Sequence, residues 1–360
     1  MSTIMPAKAR DVRIDIVKAI GIILMVFYHA GTPGKDFVYL FHMALFFLCS
    51  GYCYSHKSET NPKGYILRKI KTLYIPSFVS GFIVACLQNI FLDIHIYSYD
   101  VYNKLDFPGW LKQIIKCFAF GGGHQMIGAN WFFRTLFLSS VLYMFLNLLI
   151  KRIVKDASRI RIIRFSICLI LTSIGGLLGQ KIIYGKYFNF LTVMILIDIG
   201  LLAKELDVLK LLDSAAKKYT CSAISVLGLL LLNQFGEISI NSNIIMNPLY
   251  FILCSVFGFV LVYTIADSLS NMRIKDWLVY VGQSSIWIMF FHYVGFKLVT
   301  LIEIIVLGEP IANLSAYPTH HTEYGMWSIY GVFGVLIPLL IVVGVKWTGN
   351  RVKKYVKLHR

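Results

Sequence analysis

Apolar runs close to the ~20 residues that cross a bilayer as a helix recur along this chain from Ala19 to Val345, separated by short basic or Gly/Pro-containing segments. The pattern predicts spans near 18–32, 36–55, 73–94, 129–150, 163–180, 188–203, 220–236, 247–267, 284–307 and 326–346. The expected fold is an all-α polytopic membrane protein, a bundle of about ten transmembrane helices, with residues 1–360 forming a single integral-membrane domain. An even number of spans places both termini on one side. The longest polar connections are 95–128, 204–219 and 308–325. Within the first of these, Trp110 to Asn130 sets Gly121-Gly122-Gly123-His124 among aromatic and apolar residues, a composition that suits a re-entrant or interfacial element. The stretch from Lys63 to Lys71 mixes basic and aliphatic residues, so it either lies in the interface against anionic lipid or extends the third helix.

Composition supports the membrane reading: 57% of residues are hydrophobic and 15% charged, with a mean hydropathy of +0.69, above the range of soluble domains. A net charge of +17 raises nucleic acid as a partner, but the placement of the charges excludes it. Most lysines and arginines fall in alternate segments on one side, while the opposite loops hold Lys35, Lys104, Lys112, Lys116, Lys181 and Lys186. By the positive-inside rule both termini are cytoplasmic, as expected of a multi-pass protein of a bacterial inner membrane. The first apolar stretch follows Arg10, Asp11, Arg13 and Asp15, carries Lys18 and lacks a small-residue cleavage pattern, so it is expected to be retained as a span. The seven cysteines show neither disulfide-framework nor zinc-ligand spacing; they are expected to be small buried hydrophobes, and no metal is expected.

Ionisable groups inside a bilayer cost a few kcal/mol each on insertion scales, so one that persists in a span is a functional candidate. At about 100° per residue, Asp15, Lys18, Ile22, Met25 and His29 share a narrow stripe of the first helix, with Arg13 nearly opposite. Lys18 and His29 stand roughly 16 Å apart along the axis. An imidazole that titrates near neutrality suits proton abstraction from a hydroxyl, which makes His29 the candidate base; the bland alternative is a satisfied interfacial histidine. His42, thirteen residues on across a Gly/Pro turn, is a catalytic partner, a substrate ligand or an aromatic-belt residue. Trp131-Phe132-Phe133-Arg134 puts a cation in the fourth span, for which Asp198 in the sixth is the obvious protein partner. The segment from Gly282 through Ser284 to His292 begins like a helix start and ends in a packing or cavity histidine. His320 and His321 lie in an outer loop with Tyr317, Glu323 and Tyr324, where a carbohydrate-gripping role and an ordinary solvated loop are equally consistent.

Taken in order, Arg13-Ile-Asp15-Ile-Val-Lys18-Ala-Ile-Gly21 through His29, Phe41-His42-Met43 to Ser50-Gly51-Tyr52, Arg68 to Pro76, Trp131-Phe132 and Gly282 to His292 resemble the motifs of the acyltransferase family 3 membrane proteins, with the fucose 4-O-acetylase-like branch nearest. Each motif is weak; the ordered set, covering nearly the whole chain, is specific. The resemblance implies a bundle of about ten helices, acetyl-CoA from the cytoplasm as acyl donor, and an extracytoplasmic glycan as acceptor. The family's first-helix histidine falls on His29, and its basic partner on Lys18, where many members carry arginine; a lysine makes a point contact instead of a fork. Its cytoplasmic basic pair matches Arg68 and Lys71. Its proline after Phe-His-Met is Ala44 here, from which a straighter start to the second helix is expected. No appended soluble esterase-like domain is expected.

The reading is thus a membrane O-acetyltransferase. Acetyl-CoA phosphates would dock near Lys18, Arg68, Lys69 and Lys71, His29 would serve as base or acyl carrier with His42 and Asp15 assisting, and Trp131, Arg134, Ser284 and His292 would line the cavity. The acceptor implied by the resemblance is an exopolysaccharide, capsule, O-antigen or lipid-linked sugar, with polysaccharide-assembly proteins as further partners. The competing class is a transporter or flippase of an envelope precursor, since intramembrane charges also mark substrate pathways, although no inverted-repeat hydropathy is visible. A non-catalytic assembly or sensor protein is the third, and it would tolerate replacement of His29 and Lys18.

Overall fold

A computed structural model describes residues 11–121 and 124–358; Arg10, Gly122 and Gly123 of the segments discussed above lie outside them. The described residues form helices joined by turns, with an isolated antiparallel bridge between Ser239 and Ile244 and no strand. Among the described residues, eight helices are long and apolar enough to cross a bilayer: Pro62–Asp93, Gln125–Ile153, Ala157–Lys181, Gly185–Glu205, Ala215–Leu232, Pro248–Leu269, Ser285–Leu307 and Glu323–Val345. Large aliphatic side chains such as Ile83, Leu149, Ile170, Leu227 and Leu340 face outward on these helices, where only lipid would cover them. This is an all-α polytopic membrane protein.

The first helix, Val12–His29, is the spine of the bundle. Asp11 caps it, its side chain accepting from the Arg13 backbone N–H at 3.0 Å, which satisfies one of the free N–H groups at a helix start. Ile14, Ile16, Val17, Ala19, Ile22 and Met25 are all buried, because helices pack on this one from several sides: Lys275–Gln283, Pro248–Leu269, Ser285–Leu307 and Met326–Leu358. At Gly282 an added Cβ would run into the Asp15 carbonyl, so glycine is what lets the Lys275–Gln283 helix approach the spine this closely.

Two expectations change. Residues 36–55 do not form one span: Lys35–Tyr39 and Ala44–Tyr52 are separate helices with a turn between them. At about 1.5 Å per residue, the nine residues of Ala44–Tyr52 cover about 13 Å, too short to cross alone, and they are tolerated because almost all are buried in protein instead of facing lipid. The second helix is therefore not straighter for having Ala44 in place of proline. The basic stretch 63–71, by contrast, extends the third helix, which runs through a wider π-type turn at Ile70–Tyr74. The connection after it holds an amphipathic helix, Phe107–Phe118, with Phe107, Leu111, Ile115 and Phe118 exposed, in keeping with an interfacial element.

At the end of the bundle opposite the N-terminus, a knot of buried polar groups fixes the loop 233–247. Asn243 Nδ2 donates to the carbonyls of Gly175 at 2.8 Å and Gly185 at 2.9 Å, and Thr192 Oγ1 donates to Asn243 Oδ1 at 2.6 Å. Asn243 holds a left-handed backbone with φ of 59°, a conformation that asparagine adopts more readily than most residues.

Candidate active site

Two cavities open from opposite ends of the bundle and share one wall residue. The first, about 390 Å³, sits at the amino-terminal end and is lined by Lys18, Ser50, Tyr65, Arg68, Lys69, Gln283, Ser285 and Met289, among others. The second, about 500 Å³, lies at the far end and is lined by Tyr28, His29, Lys35, Tyr39, His42, Trp131, Tyr317 and again Met289. Met289, itself only 2% exposed, lines both spaces and so lies between them.

At the basic end, Lys18 Nζ lies 3.1 Å from Asp15 Oδ1, a spacing that follows from their three-residue separation on one helix face. Lys69 Nζ donates to Ser140 Oγ at 3.1 Å and stands 5.4 Å from the Tyr65 ring centroid, with the Arg68 guanidinium carbon 5.8 Å from the same ring. These cations converge on the cavity from two elements. Lys71 does not join them. It is exposed and lines none of these cavities, lying in the π-type turn Ile70–Tyr74 that follows Lys69. Asp15 likewise belongs with Lys18 and not with the histidines: fourteen residues of helix separate it from His29, roughly 21 Å of axis.

At the far end the first helix delivers His29 and the turn before Ala44 delivers His42 into the same cavity. Tyr28 touches both, with ring centroids 5.3 Å from His29 and 5.5 Å from His42. The His42 ring is oriented by Nδ1–H donating to the Val38 carbonyl at 3.0 Å, which leaves Nε2 with its lone pair. His292, fully buried on the Ser285–Leu307 helix, packs behind His29 at 5.4 Å between centroids. Its Nδ1 is 3.0 Å from the Met289 carbonyl, and its Nε2 finds no partner among the described residues. Next to it, Tyr293 Oη accepts from Tyr317 Oη at 2.8 Å and lies 3.5 Å from His29 Nδ1. The motif from Gly282 to His292 thus supplies the wall behind His29. Ser284 is buried at the break between two helices and lines neither cavity; its neighbours Gln283 and Ser285 do.

A side chamber of about 340 Å³ opens beside the far cavity and shares Trp131, Asn241 and Tyr317 with it. Arg134 and His124 line this chamber. Arg134 contacts the Lys186 carbonyl at 3.3 Å, Asn189 Oδ1 at 3.4 Å and the Tyr187 ring at 4.7 Å. Asp198 is not its partner. Arg164, fully buried, donates through Nε to Asp198 and forks onto Glu205 at 3.2 and 2.9 Å. Arg164 lies at the start of the 163–180 apolar run, and its sequence position alone does not distinguish it from the cytoplasmic basic residues before it. Met289 and Tyr293 were not singled out from the sequence, and Tyr317 was placed only in an outer loop. Met289 lies three residues before His292, hence on the same helix face, but its position between two cavities depends on how other helices pack around it.

Two cavities that share Met289, one lined by basic residues and the other by imidazoles and aromatic rings, lie within this helical membrane bundle. The model of the acyltransferase family 3 domain, described as an acyltransferase domain, matches residues 11–347, and the chain belongs to that family: it is a membrane acyltransferase. No match is found among curated proteins or among solved structures.

Proposed function

We propose that this acyltransferase moves an acetyl group from cytoplasmic acetyl-CoA to a hydroxyl of a cell-envelope glycan in a bacterial inner membrane. The observation that carries the reading is the meeting of the two cavities at Met289, with Lys18, Arg68 and Lys69 on one side and His29 with His42 on the other. The coenzyme's phosphates pair with the three cations. Its extended pantetheine arm follows the first helix, whose 16 Å from Lys18 to His29 is within such an arm's reach, and brings the thioester past Met289.

His29 is the base. In the tautomer with the proton on Nδ1, which faces Tyr293 Oη at 3.5 Å, Nε2 presents a lone pair to the acceptor hydroxyl. The hydroxyl oxygen attacks the thioester carbonyl as its proton passes to Nε2. The tetrahedral intermediate then collapses, the C–S bond breaks, and the imidazolium returns the proton to the leaving sulfur, giving the ester and free coenzyme thiol. His42 Nε2 and Lys35 stand on the same cavity wall and orient the acceptor. Trp131 and Tyr317 offer aromatic faces to a sugar ring where the cavity meets the side chamber.

Mass spectrometry of the envelope polysaccharide tests this in cells carrying the wild-type chain, His29→Ala at matched expression, or no copy. Acetylation with the wild type alone is expected, the variant losing roughly 100-fold or more, as removal of a general base does. Normal acetylation by His29→Ala would remove the base assignment. Unchanged acylation in all three would overturn the glycan acetyltransferase reading and bring the flippase reading forward.

A further inference from the structure

We infer that Glu309, His320 and His321 form a binding site for a divalent transition-metal ion of the zinc class, which clasps the outer loop over the catalytic cavity. One carboxylate oxygen and two imidazole nitrogens lie within 4.8 Å of one another. His320 Nε2 is 2.5 Å from Glu309 Oε2, and His321 Nε2 is 3.0 Å from Glu309 Oε1. A tetrahedral ion with bonds of about 2.0–2.1 Å sets its donors about 3.3 Å apart, so each histidine needs to part from the carboxylate by less than about 1 Å to admit one. Two imidazoles and a carboxylate are a donor set that zinc takes with a fourth position left to water.

The surroundings are those of a held ligand set. Asn313 Nδ2 donates to Glu309 Oε2 at 3.0 Å, Glu323 Oε2 stands 3.8 Å from His321 Nδ1, and the His320 backbone N–H donates to Tyr330 Oη at 3.2 Å. A carboxylate behind a metal-binding imidazole orients the ring and raises its basicity. The three side chains are 25%, 16% and 43% exposed, enough for an ion to enter from the aqueous side. The spacing hid the site: Glu309 is separated from the His320-His321 pair by ten residues that curl back on themselves, and only the closed loop brings the donors together.

Between these ligands, the same loop contributes Tyr317, Pro318 and Thr319 to the cavity that contains His29. Its middle is already pinned, since the buried Lys297 Nζ donates to the Leu314 and Ala316 carbonyls at 2.7 Å each. An ion bridging Glu309 to His320 and His321 closes the loop at its base and fixes the Tyr317 hydroxyl against Tyr293. Binding of the ion stands independently of the acyl-transfer reading; only its effect on catalysis rests on that reading.

The test uses untagged full-length protein in detergent, stripped with a chelator and titrated with Co²⁺. The expected result is one saturable equivalent in the micromolar range or tighter, with ligand-field bands of a tetrahedral N₂O site that Zn²⁺ bleaches. Glu309→Gln and the His320→Ala/His321→Ala pair should each weaken binding at least tenfold, while His95→Ala should leave it unchanged. Zinc should also raise the melting temperature of the wild type alone, a readout that stands if a variant folds poorly. Absence of saturable Co²⁺ or Zn²⁺ binding to the wild type, or undiminished binding by the ligand variants, would overturn the proposal and leave the cluster a hydrogen-bonded clasp.

Discussion

Arg164→Met isolates what the buried ion network contributes. Methionine retains much of the arginine's aliphatic packing and removes the cation, leaving Asp198 with the Tyr143 hydroxyl at 2.8 Å and Glu205 with His56 Nε2 at 3.2 Å. Stripping one partner from a buried pair costs about 3–5 kcal/mol. Glu205 is 17% exposed and keeps its histidine, so the stranded Asp198 dominates and a loss near the lower end, about 3 kcal/mol, is expected. At ~2–4 °C per kcal/mol for a large domain, the melting temperature should fall by about 6–12 °C. The assay is intrinsic fluorescence of the purified protein in detergent at one fixed scan rate, because many large proteins unfold irreversibly and their midpoint then depends on scan rate. Adding Asp198→Asn removes the stranded charge and should recover at least half of the loss. A single variant melting within about 2 °C of the wild type, or a double variant no better than the single, would refute the account.

Two further outcomes follow from the same geometry. Met289→Trp should plug the junction of the two cavities and lower acyl transfer by roughly 100-fold while coenzyme binding at the basic end persists, whereas Met289→Ala should transfer near the wild-type rate; equal activity in both would show that Met289 does not stand in the path. His56 is held charged by Glu205 and Glu59, its pKa raised from 6.5 to about 9 against the opposing charge of Lys151. A raised pKa contributes stability that is complete below about 6.5 and fades as pH climbs through about 9. The melting temperature should therefore decline across that window, by a small amount because the side chain is half exposed, and His56→Gln should flatten the decline; an unchanged slope in the variant would assign the pH dependence elsewhere.

Much of the site was legible because its first part is written on one helix. The three-residue step from Asp15 to Lys18 predicts their ion pair, and the eleven-residue step to His29 predicts an imidazole one cavity away, since helix geometry converts sequence distance into direction and length. His42 and Trp131 joined His29 as expected. Asp15 did not, because a shared stripe fixes azimuth while 21 Å of axis lies between them. Lys71 was placed with Arg68 by motif spacing and lies exposed in the π-type turn that follows.

The sequence by itself determined that this chain crosses a membrane as helices, where most of those helices run, and that its first helix carries cations at one end and an imidazole at the other. Those properties are local: bilayer thickness sets the length of an apolar run, and helical periodicity sets which side chains share a face. Tertiary structure alone decided that Arg164 and not Arg134 meets Asp198, that residues 40–43 break the second span inside protein, that Met289 divides two cavities, and that Glu309 closes on His320 and His321. Each of these depends on the rotation and depth at which separate helices pack, which is fixed by side-chain fit between distant segments and leaves no period in the sequence.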